Sequence, residues 1–269
     1  KVRAVSKQFG YEEWEAPILE RLELYAAKSG EELVKEQSFV LTDRGCDDLA
    51  LRPELTPSLA RLIAQRQARL ILPARSYSFR PFWRYERPQR GRTREFFQWN
   101  IDLLGSETPA ADGEIVAIGA DFLRSLGLSA SEVGIHVNSR RLMERKLAEI
   151  GVADEQRVDV FRLIDRRDRL SPEKWTAWAR DAGLSESQMA ALSELRADAD
   201  LWQESEELRQ VFAVSEALGL AEYLVYDASI VRGLDYYTGP VFEAYDRERK
   251  FRAIFGGGRY DNLVADVGG

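Results

Sequence analysis

The order of strand-like and helix-like segments predicts an α+β protein, a mainly antiparallel sheet flanked by helices and interrupted by a helical insertion. Three observations carry this prediction. Strand signals with hairpin punctuation occupy the first hundred or so residues. They vanish across 139–222, where capped helical patterns follow one another, and they resume from Tyr223. The alternating strand–helix rhythm of a parallel sheet is missing.

Residues 1–9 read as the end of a helix, punctuated by Gly10-Tyr11. Glu13–Glu20 reads as a strand interrupted by Pro17, and Arg21–Ser29 as a short helix stopped by Gly30. Gln37–Thr42 and Leu49–Arg52 flank Asp43-Arg44-Gly45, a hairpin signature. Thr56 is placed to cap a helix over Ser58–Arg69, with Pro57 in its first turn and Leu59, Leu62 and Ile63 on one stripe. A helix follows from about Ala110 to Gly127, then a strand at Val133–Asn138 and a helix Arg140–Ile150 capped by Ser139. Helical patterns then cover Glu155–Arg166, Pro172–Ala182, Ser185–Asp198 and Leu201–Leu218, with Ser171 and either Ser185 or Ser187 at cap positions. Strands resume at Tyr223–Asp227, Ile230–Tyr245 and Phe251–Phe255. The organisation expected is 1–138 as the first part of a core, 139–222 as the insertion and 223–269 as the second part.

The segment Phe79–Asp102 holds the densest chemistry. Six arginines and no lysine stand between Arg80 and Arg94, in a chain of net charge −7. Guanidinium presents a planar donor fork that binds phosphate or carboxylate bidentately, which lysine cannot do. Side chains alternate faces along a strand. From Phe96 to Leu103, one face therefore carries Phe97, Trp99, Ile101 and Leu103, and reads as a core face. The other carries Phe96, Gln98, Asn100 and Asp102, and reads as a ligand floor. A hairpin with the preceding strand would add Arg84 and Glu86 to that floor.

Composition narrows the chemistry. Hydrophobic residues make up 45% and charged residues 31% of 269, values of a soluble globular protein. No apolar run approaches the roughly 18 residues of a membrane span. The start lacks the shape of a signal peptide, so a cytoplasmic location is expected. Cys46 is the only cysteine and His136 the only histidine, which disfavours a disulfide, a cysteine zinc site, a catalytic triad and a histidine-rich metal site. His136 reads as a plain strand residue and Asp47-Asp48 as a solvated turn. The acidic balance argues against non-specific nucleic-acid binding. Gly256-Gly257-Gly258 lacks the spacing of a phosphate or dinucleotide loop and is expected in a tight turn or bulge beside a ligand.

Four motifs stand in one order: Leu51-Arg-Pro-Glu-Leu-Thr56, the Phe82–Gln98 run, Arg232-Gly-Leu-Asp-Tyr-Tyr237 and Gly256-Gly-Gly-Arg-Tyr-Asp261. Together they resemble the catalytic core of histidyl-tRNA synthetase, a class II aminoacyl-tRNA synthetase. The likeness implies histidine activation with ATP and Mg²⁺, transfer to tRNA(His), and a homodimer built partly through Tyr11–Glu20, with Pro17 near the interface. It implies Arg84 and Arg232 as the catalytic cations at the α-phosphate. Glu86 would meet the adenine amino group, Phe96 its ring, and Arg92 the β- and γ-phosphates. Glu54, Thr56 and Gln98 would take the histidine ammonium. Asp102, Tyr236, Tyr237 and Tyr260 would surround or flank the imidazole. Magnesium would be held through ATP phosphates rather than by protein ligands.

The third class II motif and the anticodon-binding domain of that family are expected after Gly269. The rival reading is the histidine-sensing regulatory subunit of ATP phosphoribosyltransferase, which resembles the same core without aminoacylating. The presence of Arg84, Glu86, Arg92, Phe96 and Arg232 favours the enzyme. A synthetase-like domain of a stress-sensing kinase is a third, weaker reading.

Overall fold

The computed structural model describes residues 1–26, 37–87, 93–231 and 237–266, and the chain divides into two compact units. The first comprises Lys1–Ser106 with Asn262–Gly269, the second Glu107–Asp261.

The first unit opens with helix α1 (Val2–Gln8) and strands β1 (Glu12–Glu13) and β2 (Leu19–Arg21). Helix α2 (Leu22–Ala26), strands β3 (Phe39–Thr42) and β4 (Asp48–Leu51), helix α3 (Thr56–Arg66), and strands β5 (Ala74–Trp83) and β6 (Glu95–Leu104) follow. The expected hairpin around Asp43–Gly45 forms: β3 and β4 pair antiparallel, and β2 adds to the other side of β4. The Asp43 carboxylate accepts from the N–H of Gly45 at 2.7 Å and of Asp47 at 3.0 Å, the self-capping that makes Asp a turn residue. The β5–β6 hairpin pairs along its whole length, with β1 parallel to β5 on its other side.

Two expectations fail here. Thr56 is not a cap: Leu55 occupies that position without a side-chain bond, and Thr56 is already helical. The preceding segment is pinned by Arg52, whose N–H donates to the Ile18 carbonyl at 2.9 Å and whose carbonyl accepts from Trp83 N–H at 3.2 Å. The chain therefore turns into the helix at Leu55, whose side chain is buried. The face of β6 assigned to a core is also only partly covered. Trp99 Nε1 donates to Ser6 Oγ of α1 at 3.2 Å, but Phe97 is 62% exposed and packs on Phe79, itself 40% exposed. A seven-residue α1 reaches Trp99 while leaving that phenylalanine pair in the open.

The second unit runs α4 (Pro109–Ser125), β7 (Val133–Ser139), α5 (Arg140–Glu149), α6 (Arg157–Asp165), α7 (Pro172–Asp181), α8 (Glu186–Ala197), α9 (Glu206–Ala217), β8 (Leu224–Tyr226), β9 (Pro240–Asp246) and β10 (Phe255–Gly258). Its sheet has the order β10-β9-β7-β8, parallel only between β7 and β8. Val133, Ile135, Val137, Phe242 and Ala244 bury one face against Val116, Ala117, Ala120 and Leu123 of α4 and Val211 of α9. A separate core joins α5 to α8 through Met143, Leu147, Phe161, Leu163, Trp175, Met189 and Leu192. Burying side chains such as Phe161 and Leu163 completely contributes about 1.5–3 kcal/mol each. Ser139 and Ser171 cap α5 and α7 as expected, and of the two candidates for α8 it is Ser185 that caps.

Several expected elements differ, and the strand expected from Ile230 begins, among the described residues, at Pro240. The pattern Leu201–Leu218 splits into a 3₁₀ turn at Leu201–Glu204 and α9, because Ser205 caps α9 by accepting from Leu208 N–H. The strand expected at Phe251–Phe255 begins only at Phe255, since the Asp246 carboxylate binds the N–H groups of Lys250 and Phe251 and holds them in a loop. The triple glycine is neither turn nor bulge. It forms β10 in regular register with β9, Gly257 opposite Phe242. A Cβ on Gly257 would lie 2.8 Å from the Phe242 ring, so glycine is needed where that ring crosses the strand.

Candidate active site

Each unit carries part of the expected site, and each part has its own geometry. In the first unit the register pairs Phe82 with Phe96, Arg80 with Gln98, Ser78 with Asn100 and Ser76 with Asp102. Cross-strand partners share a face, so Phe96, Gln98, Asn100 and Asp102 line one surface as the alternation predicted. The ladder continues one pair further: Arg84 N–H donates to the Arg94 carbonyl at 2.9 Å. The Arg84 guanidinium lies 5.2 Å from the Phe96 ring centroid, and its Nε donates to the Pro53 carbonyl at 2.9 Å. Arg84 is thereby fixed beside Glu54, the residue after Pro53. Glu54, Thr56, Gln98 and Asp102 are all half-buried.

Strict alternation stops at Glu86. Its N–H donates to the Arg84 carbonyl at 2.8 Å, a tight local turn that takes the backbone out of the strand path. Extending strand periodicity to Glu86 was therefore not warranted, although the residue is half-buried at this end of the hairpin. Arg92 lies outside the described residues, as do Arg232 and Tyr236.

A residue the sequence reading passed over supports this arrangement. Arg52 is fully buried, the largest such side chain among the described residues. Its Nη1 donates to the Ala16 carbonyl at 2.8 Å and its Nε to the Pro81 carbonyl at 3.1 Å, with Glu15 3.6 Å away. Its guanidinium stands 4.9 Å from the Phe82 ring centroid, and Phe82 stacks on Phe96 at 6.2 Å. Arginine, phenylalanine, phenylalanine and arginine thus form one pile from Arg52 to Arg84. Burial pulls the Arg52 pKa below its ordinary value, with Glu15 opposing. The signal was present: a charged residue between Leu51 and Pro53 at a strand end. Arg80 is drawn instead to Glu15 and Glu13, both at 2.9 Å. Hydrogen bonds from Arg3 and Arg80 hold the Glu13 carboxyl down at about 2.

The floor has an electrostatic peculiarity. Gln98 Oε1, Asn100 Oδ1, Ser76 Oγ and Ser78 Oγ are buried and have no hydrogen-bond partner. Buried polar atoms normally find partners. Other unpaired atoms occur in the described chain, such as Tyr25 and Tyr226 hydroxyls, but these four occupy one face of one hairpin.

In the second unit, Tyr237 and Tyr260 stack with centroids 5.9 Å apart. Gly258 makes room for them: a Cβ there would stand 2.9 Å from Tyr237 Cδ1. Tyr260 is flanked by charges that are mutually satisfied. Arg259 grips Asp112 at 2.8–3.2 Å with both side chains nearly buried. Burial pushes the Asp112 pKa up and Arg259 pulls it down; burial wins. Asp261 accepts from Thr238 Oγ1 at 2.7 Å and from Arg141 at 3.0 Å. Arg259 gave no signal of its own in the sequence, because Asp112, which neutralises it, lies 147 residues away. His136 is a strand residue, but not a plain one. Its Nδ1 lies 2.9 Å from Asp227 Oδ2 and 3.0 Å from Arg249 Nη2. Burial raises the Asp227 pKa, but hydrogen bonds from His136 and Ser229 outweigh it and hold the carboxyl well below its usual range.

A family model described as histidyl-tRNA synthetase matches residues 1–269. The chain is 38% identical to the chloroplastic/mitochondrial histidine–tRNA ligase of Arabidopsis thaliana, over 99% of this chain and 57% of that one. It is 41% identical to the histidine–tRNA ligase of Thermoplasma volcanium, over 97% of this chain and 63% of that one. The chain thus spans less than two thirds of the length of these relatives. The crystal structure of histidyl-tRNA synthetase from Nostoc sp. PCC 7120 superposes with a TM-score of 0.85 at 23% identity, over 98% of this chain and 64% of that one. A Bacillus halodurans structure, described as ATP phosphoribosyltransferase regulatory subunit/histidyl-tRNA synthetase, superposes at 0.81 with 24% identity, over 99% of this chain and 71% of that one. The likeness fixes the fold as the α+β, mainly antiparallel class II arrangement.

Proposed function

This chain belongs to the histidyl-tRNA synthetase family, and from that premise we propose that it activates histidine with ATP and transfers it to the 3′ end of tRNA(His). The observation that carries the reading is the β5–β6 register, which supports Arg84 on Phe96 and aligns Gln98 and Asp102 along one floor.

In the proposed reaction the histidine carboxylate attacks the α-phosphorus of ATP. A bond forms between a carboxylate oxygen and the α-phosphorus, the bond from the α-phosphorus to the bridging oxygen of the β-phosphate breaks, and pyrophosphate leaves. The amino acid supplies the nucleophile, so the protein's task is to align two anions and stabilise charge in line. Arg84 and Arg232 are the cations proposed for this, with Arg92 on the outer phosphates. Phe96 takes the adenine ring and Glu86 its amino group. Glu54, Thr56 and Gln98 receive the ammonium. Asp102 reads the imidazole, with Tyr236, Tyr237 and Tyr260 as further histidine ligands by motif. ATP brings Mg²⁺ on its own phosphates, an oxygen-ligand setting that suits this cation.

The finer assignments are proposals of the same kind: a homodimer through Tyr11–Glu20, a cytoplasmic location, and 139–222 as an insertion dividing a core of 1–138 and 223–269. Among the described residues, no helix is long and apolar enough to cross a membrane.

Histidine-dependent ATP–pyrophosphate exchange tests the reading, on this chain and on the chain extended at its C-terminus. Exchange that requires histidine in either form, and disappears in Arg232→Ala while histidine binding persists, is the expected result. Histidine binding without exchange in both forms would replace it with the regulatory-subunit reading.

A further inference from the structure

The unpaired atoms of the hairpin floor point to a substrate contact that the motif assignments leave out. We propose that Asn100, with Ser78 opposite it, is a further acceptor for the substrate's ammonium group, adjoining Gln98. The proposal rests on the reading of this floor as a histidine site.

Asn100 stands two residues from Gln98 on the same face of β6, and same-face neighbours along a strand are about 7 Å apart. One small group between them can therefore touch both side chains. Ser78 lies directly across from Asn100 and is fully buried. Gln98 Oε1, Asn100 Oδ1 and Ser78 Oγ each lack a partner, and two of them are amide oxygens, which only accept. A primary ammonium carries three donors and no acceptor, and an N–H can be shared between two oxygens, so the group that Glu54, Thr56 and Gln98 receive can also meet Asn100 Oδ1 and Ser78 Oγ. A neutral imidazole offers one N–H, and a carboxylate or phosphate offers none. An anion is disfavoured at these three atoms, where amide oxygens would face its negative charge. Leaving such atoms unmet costs free energy that a bound ammonium recovers.

The test is equilibrium titration of the purified chain with L-histidine, histidinol and 3-(imidazol-4-yl)propionate; the last lacks the ammonium. In Asn100→Ala, affinity for L-histidine and histidinol should fall by about 10-fold or more, the scale of a hydrogen bond to a charged group. Affinity for the propionate should stay within about 2-fold, and Asn100→Asp, which keeps shape and acceptor, should retain L-histidine binding. Ser78→Ala should show the same selective loss if Asn100→Ala does not fold. Equal losses for all three ligands, or none, would overturn the proposal while wild-type histidine binding upheld the site. A wild-type chain that binds no histidine would sink both.

Discussion

The floor of the β5–β6 hairpin and the charged network around Tyr260 treat polar groups in opposite ways. Around Tyr260, Arg259 holds Asp112, and Asp261 is shared by Thr238 and Arg141. Charges there are neutralised within the chain. On the hairpin floor, four buried polar atoms in adjacent cross-strand positions face no partner. The polar groups around Tyr260 are paired by the fold, whereas these four are buried and left unpaired by it. Substitutions in the first region should therefore cost stability, and those in the second should cost binding.

The largest effect should come from splitting the Arg259–Asp112 pair. Asp112→Ala leaves a nearly buried guanidinium uncompensated and should destabilise the fold by about 3–5 kcal/mol, read by urea denaturation. A loss below about 1 kcal/mol would place this pair with ordinary surface bridges. Next in size, Arg84→Ala should slow histidine-dependent pyrophosphate exchange about 10²–10³-fold, as removal of one preorganised donor does. Unchanged exchange would remove its catalytic role.

Gly257→Ala should cost about 1–3 kcal/mol, because its methyl meets the Phe242 ring at 2.8 Å. Thermal melts with an unchanged midpoint would mean that the ring moves aside freely. The smallest effect concerns pH. Glu13 has a folded-state pKa of about 2 against about 4.3 in an unfolded chain. Its contribution is present above pH about 4.3 and is lost as pH falls through about 2. Glu13→Gln should flatten the acid limb of stability in that window and leave neutral-pH ligand binding alone. An acid limb identical to wild type would show the Arg3 and Arg80 contacts to be without consequence.

Much of this was legible in the sequence, for identifiable reasons. Alternation along β6 predicted the shared face of Phe96, Gln98, Asn100 and Asp102, because a paired strand enforces a period of two. The same rule failed at Glu86, where a tight turn ends the strand path. Serines 139, 171 and 185 marked helix starts, because their hydroxyls compete for free N–H groups locally. Arg52 was visible only as a charged residue at a strand end, and the Arg259–Asp112 pair not at all, since their meaning lies in partners 36 and 147 residues away. The glycine strand was misread for a similar reason: the ring that requires it belongs to β9. Exposure of Phe79 and Phe97 likewise depended on how far α1 reaches.

The most direct test is the shift in melting temperature produced by L-histidine in wild type, Asp102→Ala and Asp112→Ala. A ligand that binds only the folded chain raises its melting point by mass action. Expected are a clear rise in wild type, little rise in Asp102→Ala, and a lowered midpoint with a preserved rise in Asp112→Ala. No rise in wild type, or a full rise in Asp102→Ala, would contradict the division between a ligand-binding floor and a self-paired network.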